Sequence, residues 1–293
     1  MAYNVTGLPT YVEQHASDLL AKSVFDASSV KYLTIQTGIK GDTALNLVDV
    51  DVTFQNGDSC GFTASGDDKF TQRILLPYHL KVNKEWCDKD MLGKYAQYQV
   101  VTAATGKKLP FEEDLMNGVT SGIAEGIESY IWGGDDHASG LVGAINESPS
   151  ANRVTATSDI WADTKAAYLK LPANVLGKSD LMGYMAPADF EKLVLQLIEL
   201  KLYNYNPNDE DGVITMPGTN VKIARIAGLT GTNVKLAFAR KSNMFYGVDT
   251  ESDATDFDLW YSKDNRTFRL AVEFNVASQV AFPGEITAVI AAA

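Results

Sequence analysis

Residues able to do chemistry occur in this chain at a handful of places, and each can be tested by its company. Asp135-Asp136-His137 sets two carboxylates and an imidazole side by side, a combination that could ligate a divalent cation. Protein metal sites gather ligands at recognisable spacings, and no HExxH, CxxC or second ligand cluster accompanies this one. A solvated loop after a helix end is expected there instead. The other histidines, His15 and His79, are scattered. Gly228-Leu229-Thr230-Gly231-Thr232 has the glycine content of a phosphate-binding loop. It lacks the lysine and joins two strand-like segments rather than a strand and a helix, so a tight hairpin turn is expected. No G-x-S-x-G elbow exists, and Cys60 and Cys87 stand in no nucleophile or disulfide-framework context. No catalytic site, cofactor or metal is therefore expected. Trp161, Trp260, Tyr203 and Tyr205, with Asn206 and Asn208 nearby, would suit sugar stacking in a carbohydrate-binding or surface protein; core and interface packing accounts for them equally well.

Composition narrows the class further. At 293 residues, with 45% hydrophobic and 21% charged residues, the chain can bury a full core and is neither disordered nor collagen-like. A net charge of −12 argues against gripping nucleic acid along a basic surface, though not against enclosing it. No run approaches the ~18 apolar residues of a membrane span. Residues 1–10 lack the basic and apolar regions of a secretory signal.

The elements that must position any site follow from periodicity. Residues 9–34 carry a helix-like pattern (Tyr11, Leu19, Leu20, Val24), then an extended segment at 31–36. Such a terminal helix either reaches to a neighbour or packs on its own domain. Residues 50–84 read as one long two-stranded excursion: Val50, Val52 and Phe54 alternate with polar neighbours, as do Ile74, Leu76, Tyr78, Leu80 and Val82. Isolated two-stranded hairpins are marginal in water, so another surface should cover it. Residues 110–132 form the clearest helix, opened by Pro110 and the acidic Glu112, Glu113 and Asp114. At ~1.5 Å per residue it spans about 34 Å. Leu115, Val119, Ile123, Ile127 and Ile131 make its apolar stripe, and Gly118, Gly122 and Gly126 run beside it. Glycines cost roughly 1 kcal/mol each in a helix interior, which suggests close approach of another backbone. Residues 134–158 read as loop. A helix capped by Ser158 or Asp159, a buried strand at 181–186, a helix from Pro187 and strands at 221–226 and 234–239 then suggest an α/β subdomain, with a polar loop at 204–212.

The last third carries the most specific pattern. Met216-Pro217-Gly218-Thr219-Asn220-Val221-Lys222-Ile223 is echoed at Thr230-Gly231-Thr232-Asn233-Val234-Lys235-Leu236. The chain then runs through Ser242-Asn243-Met244-Phe245-Tyr246-Gly247 and Trp260-Tyr261-Ser262 to a long strand from Arg266 to Phe274, ending near Ala281-Phe282-Pro283-Gly284-Glu285. This order resembles the C-terminal half of tailed-phage major capsid proteins. The whole element order resembles the Hong Kong 97-type shell fold, shared by those proteins and encapsulins.

The resemblance implies an α+β fold with an N-terminal arm and lead-in strand (1–49) and an extended E-loop hairpin (50–84), of which 56–76 would lie on a neighbour. It implies a peripheral domain (85–157 and 249–280) with a spine helix at 110–132, and an axial α/β domain (158–248 and 281–293). It also implies a non-enzymatic major capsid protein that self-assembles from pentamers and hexamers into an icosahedral head around double-stranded DNA. Assembly would occur in the host cytoplasm, with a portal and separate scaffold or decoration proteins as partners. Since the fold starts close to Met1, any scaffold is expected as a separate protein or absent. The assembly contacts implied are Asn56, Asp67, Asp68, Lys69, Phe70 and Arg73 on the hairpin, Gly118, Gly122 and Gly126 on the helix, and Arg240, Arg266 and Arg269; Lys81, Lys84 and Glu85 are further charged candidates. Covalent crosslinking through Lys69 is not expected. An encapsulin-type nanocompartment is the alternative that the same fold allows.

Overall fold

The longest strand organises the first of three sheets among the described residues, the third being a two-stranded ribbon. The computed structural model describes residues 7–50, 52–56, 62, 64–91, 93–94, 111–134, 139–202, 212–249 and 257–292. In chain order the elements begin with helix α1 (Gly7–Phe25) and strands β1 (Thr34–Thr37), β2 (Thr43–Asp49), β3 (Lys69–Leu75) and β4 (Tyr78–Cys87). Helices α2 (Phe111–Gly133) and α3 (Gly140–Glu147), strand β5 (Asn152–Thr155), α4 (Ile160–Leu169), β6 (Leu181–Met185) and α5 (Pro187–Glu199) follow. The chain closes with β7 (Val213–Thr215), β8 (Lys222–Arg225), β9 (Val234–Arg240), β10 (Met244–Val248), β11 (Phe257–Ser262), β12 (Thr267–Val280) and β13 (Thr287–Ile290). Along β12, Phe268, Leu270, Val272, Phe274 and Val276 are buried while Arg269, Glu273 and Asn275 between them are not, the period-two logic of a half-buried strand. β4 pairs with one edge of β12 from Thr267↔Cys87 to Val276↔Tyr78. β11 and then β10 cover the other edge, and β1 adds in parallel to β10.

The second sheet has six strands in the order β5-β13-β9-β6-β8-β7. Its central strands are covered on both faces. Leu236, Phe238, Leu181, Met185 and Val289 face a core under α4 and α5. Ala237, Ala239, Tyr184, Ala224 and Ala288 face the larger core shared with the first sheet, α1, α2 and α3. Asp159 caps α4 by accepting the Ala162 N–H at 2.9 Å, and Pro187 opens α5.

Helix α2 buries Met116, Val119, Ile123, Ile127 and Ile131 against this shared core. Helix α1 packs on α2 and β11 and buries Leu8, Val12, Leu19 and Val24, so the terminal helix lies on its own chain. The buried Glu128 of α2 ties three segments together. Its Oε2 accepts from the Ser29 N–H (2.9 Å) and hydroxyl (2.7 Å), and its Oε1 accepts the Gly228 N–H at 3.3 Å. A Cβ at Gly228 would stand 2.3 Å from the Glu128 carbonyl oxygen and 2.5 Å from Trp132 Cδ1.

The structure departs from the sequence expectations in four places. Residues 134–158 are not all loop: α3 and β5 lie there, hidden by short length and by flanking Gly, Ser and Asn. The excursion of 50–84 is not one hairpin. The two-stranded ladder is β2 with β3, and β4 belongs to the five-stranded sheet. Pro77 interrupts the run, since it has no N–H to donate. The turn at 228–232 is no hairpin, because β8 and β9 flank β6 and a 3-10 turn at Ala227–Leu229 carries the chain across. Divisions at 157/158 and 248/249 do not follow the sheets: β5 joins the six-stranded sheet and β10 the five-stranded one.

The tight seat at Gly228 makes a direct expectation. Gly228→Ala should lower subunit stability by about 1–3 kcal/mol through overpacking. Gly126→Ala, on an exposed helical position with nothing within 4 Å of the added Cβ, should instead stabilise it by up to ~1 kcal/mol. Chemical denaturation of both variants checks this, and equal effects would contradict the packing at Gly228.

Candidate assembly surfaces

The β2–β3 ribbon has one anchored face and one bare face. At its base Leu45, Leu47 and Leu75 bury against Ile39, Ala277 and Ala281. Room for this comes from Gly247 of β10, where a Cβ would lie 2.3 Å from Ile39 Cδ1 and 2.8 Å from Leu75 Cδ2. The Gln279 amide donates to the Ile74 carbonyl at 3.1 Å, and Arg73 donates to Gln279 Oε1 at 3.5 Å. On the opposite face Val48 pairs with Phe70 and Ala44 with Ile74. Val48, Phe70 and Ile74 are exposed, as are Val50 and Val52 beyond the ladder, while Phe54 and Phe62 are 95% and 96% exposed. A contiguous exposed apolar row of this kind marks an interaction surface. Asn56, Asp67, Asp68 and Lys69 lie exposed at the outer end of the ribbon, beside Phe70; Arg73 lies nearer its base.

The glycine face of α2 is open. Gly118, Gly122 and Gly126 are exposed and a Cβ on any of them meets nothing within 4 Å, so close approach of another backbone does not occur among the described residues. The reason is rotational: the apolar stripe turns inward, leaving the glycines outward. A groove of about 690 Å³ runs beside them between α1 and α2, with Lys22 donating to Asn117 Oδ1 across it at 2.9 Å.

A further apolar surface went unread in the sequence. Buried Phe190, Leu193 and Leu197 define the inner face of α5, whereas Leu195, Ile198, Leu200 and Leu202 are exposed, and Leu169 at the end of α4 is 78% exposed. The signal is present in Leu193-Val194-Leu195-Gln196-Leu197-Ile198, where five of six residues are apolar, more than one helix face can bury.

The cations proposed as contacts between subunits mostly have partners at home. Arg269 Nε donates to Glu85 at 3.0 Å. Glu85 also accepts from Thr267, and these hydrogen bonds hold its carboxyl below the ordinary range. Lys81 stands opposite Glu273, whose carboxylate meets His79 at 3.1 Å. Arg266 has φ 52 in the β11–β12 turn, and its carbonyl accepts the Asp88 N–H. Arg240 lies 3.2 Å from both Asp180 oxygens and 3.6 Å from Glu285, and Ser242 donates to Asp180 at 2.6 Å. Burial alone would raise the Asp180 carboxyl; the hydrogen bonds from Ser242 and Arg240 and the Arg240 charge outweigh it and hold it below 3.8. Burial instead holds Glu285 above its ordinary value, with Arg240 opposing and Asp180 adding.

The chemical candidates are not assembled into a site by the described residues. Asp135–His137, Cys60, Tyr203, Tyr205, Asn206 and Asn208 lie outside them. Cys87 is an exposed free thiol, and Trp161 is buried under α5. Among the described residues no group of three or more His, Cys, Asp or Glu could hold a metal. A cavity of about 380 Å³ between α4 and α5 contains Asp163 and Asp189, both engaged: Asp163 with Thr157 at 2.7 and 2.8 Å, Asp189 with Lys192 at 3.1 Å and Lys235 at 3.3 Å. No described helix is long and apolar enough to cross a membrane.

No sequence family and no curated protein matches the chain. Solved structures do match it in three dimensions. One described as Gordonia phage Cozz is 13% identical, with a TM-score of 0.60 over 91% of this chain and 87% of its own. The satellite phage P4 procapsid with its size determination protein gives 11% identity and a TM-score of 0.57 over 100% and 93%. A virus-like particle from Pyrococcus furiosus gives 9% and 0.52 over 94% and 98%. The fold of the chain is thus the mixed α+β, Hong Kong 97-type shell fold.

The opposed titrations at the Arg240 cluster have a measurable sign. Asp180, depressed in the fold, contributes stability above its unfolded value near 3.8 that is lost as pH falls through its lower folded value. Asp180→Asn should therefore destabilise the subunit at neutral pH by about 2 kcal/mol, with the gap to wild type closing in acid. Glu285, raised in the fold, is opposite in sign: its ionisation weakens the fold, so Glu285→Gln should cost less than Asp180→Asn at pH 7. Thermal unfolding across pH checks both.

Proposed function

We propose that the chain is a major capsid protein that self-assembles through pentamers and hexamers into the icosahedral head of a tailed phage, enclosing double-stranded DNA. The observation that carries this is the bare apolar face of the β2–β3 ribbon on a chain whose fold matches shell structures over nearly its full length. A ribbon anchored at Leu45, Leu47 and Leu75 and apolar out to Phe54 and Phe62 is built to lie on a second copy, as an E-loop. The five-stranded sheet with α2 as spine would form the peripheral domain. The six-stranded sheet with α4 and α5 would form the axial domain, its exposed Leu195, Ile198 and Leu200 turned to neighbours around the local axis.

The mechanism is geometric. Each contact is weak, symmetry repeats it, and closure makes the whole stable. The acid excess of the chain suits a lining that encloses packed duplex without gripping it. Such a protein takes no cofactor and catalyses nothing. Its other partners would be a portal and any separate scaffold or decoration protein, with assembly in the host cytoplasm before incorporation in the virion. The likeness to the Pyrococcus furiosus particle favours one second reading, an encapsulin-type compartment loaded with protein cargo.

Expression of the chain with sizing and negative-stain microscopy tests the proposal. Closed particles of uniform diameter are expected, and nucleic acid or protein cargo then separates head from compartment. Deleting residues 56–68 should leave a folded, soluble subunit that forms no shells. Normal shells from that deletion would overturn the role given to the ribbon.

A further inference from the structure

The chain crosses between its sheets at two strand connections that lie side by side. β9 ends at Arg240, a 3-10 turn covers Lys241–Asn243, and β10 begins at Met244 in the other sheet. β12 ends at Val280, a 3-10 turn covers Pro283–Glu285, and β13 begins at Thr287. The pairings Met244↔Val280 and Thr287↔Phe238 hold the ends of both crossings in register. A crossing of this sort swings on a few backbone torsions, which is how hinges between packed units work.

Here the hinge is fastened from several sides. The buried Asn243 side chain grips the opposite crossing with both ends of its amide: Nδ2 donates to the Phe282 carbonyl at 2.8 Å and Oδ1 accepts the Phe282 N–H. The Ala281 N–H donates to the Asn243 carbonyl at 3.0 Å. Arg240 reaches Glu285 on the opposite crossing and Asp180 at the entry to β6, and the Lys241 N–H donates to the Asp180 carbonyl at 2.8 Å. Lys241 and Thr34 then tie the same turn to the segment leading into β1, through the Lys31 and Lys241 carbonyls at 2.7 and 2.8 Å.

We propose that Arg240, Asp180, Glu285 and Asn243 form a clasp that fixes the angle between the two sheets, and that this angle sets the diameter at which copies of the chain close. The second half rests on the shell reading; the clasp itself does not. In a closed symmetric assembly every copy presents its surfaces at one inclination, so a change in that inclination changes the radius of closure. Loosening the clasp converts one inclination into a range.

Two variants and two readouts separate these claims. Arg240→Met keeps the stem and removes both ion pairs; Asp180→Asn, a milder change, removes the shorter pair should the first fail to fold. In dissociated subunits, hydrogen exchange at the amides of Lys241, Ala281 and Phe282 should become about tenfold faster, with the middle of β9 and β12 unchanged. Particles of the variants should show shifted or broadened diameters where wild type shows one. Unchanged exchange in both variants would overturn the clasp. Faster exchange with an unchanged single diameter would overturn its control of size. Faster exchange in a chain whose wild type forms no particles would uphold the clasp and remove the shell reading instead.

Discussion

A carboxylate buried in a protein core is costly unless donors reach it, and much of this architecture follows from how Glu128 is satisfied. Its donors are backbone and hydroxyl groups of Ser29 and the backbone of Gly228, from segments roughly a hundred positions away on either side. For both to arrive, the turn before β1 and the connection from β8 to β9 must press against α2. That places α2 between the sheets, with Trp132 beside Tyr184 at 5.3 Å between ring centres and Tyr184 donating to the Tyr32 carbonyl. Tyr246 donates to the Val24 carbonyl from the other sheet; burial, with the Glu128 charge nearby, keeps its phenol far above the ordinary range. Glycine at 228 is the condition for this approach, because the helix backbone already occupies the space of a side chain.

With α2 held there, its apolar stripe is spent inward and other apolar surface is left over. The β2–β3 ribbon shows how the chain handles the surplus. Gly247 opens a notch that accepts Ile39 and Leu75, so the ribbon leaves the sheet from a fixed footing rather than a loose loop. Beyond that footing nothing in the described chain covers Val48, Phe70 or Phe54. A stiff base and an uncovered apolar end make sense together only when a second surface completes the burial, since such an edge is otherwise a site of aggregation.

Sequence periodicity revealed the strand β12 and the helix α2 because each has one solvent face and one core face over many residues. The exit of the hairpin is not legible because Ile74, Leu76, Tyr78, Leu80 and Val82 keep period two straight through Pro77; the pattern cannot say that the pairing partner changes there from β2 to β12. Glycine is legible only as a missing side chain. Among the described residues Gly118, Gly122 and Gly126 face open space, whereas Gly228 and Gly247 are the ones whose missing side chains other residues fill. A sequence shows that a Cβ is absent, never what stands in its place. The partners of Arg240 are hidden for a related reason: Asp180 and Glu285 lie far from it in sequence, and only the sheet order brings them together.

The distribution of charge bears on what can hold the proposed shell together. Arg240, Arg269, Arg225, Lys192 and Lys235 are all engaged with carboxylates of their own chain. The remaining balance is an acid excess, and copies of an acidic chain repel one another at long range. In the proposed shell, attraction must then come from surface that is short-ranged and insensitive to charge, which is what the exposed apolar residues of the ribbon and of α5 would supply. Salt screens the repulsion and leaves apolar burial intact, so ions favour association of such a chain rather than oppose it. An assembly built this way could enclose a polyanion and still not bind it: the forces that close the shell would act between apolar faces, and the net charge of each copy has the same sign as the contents.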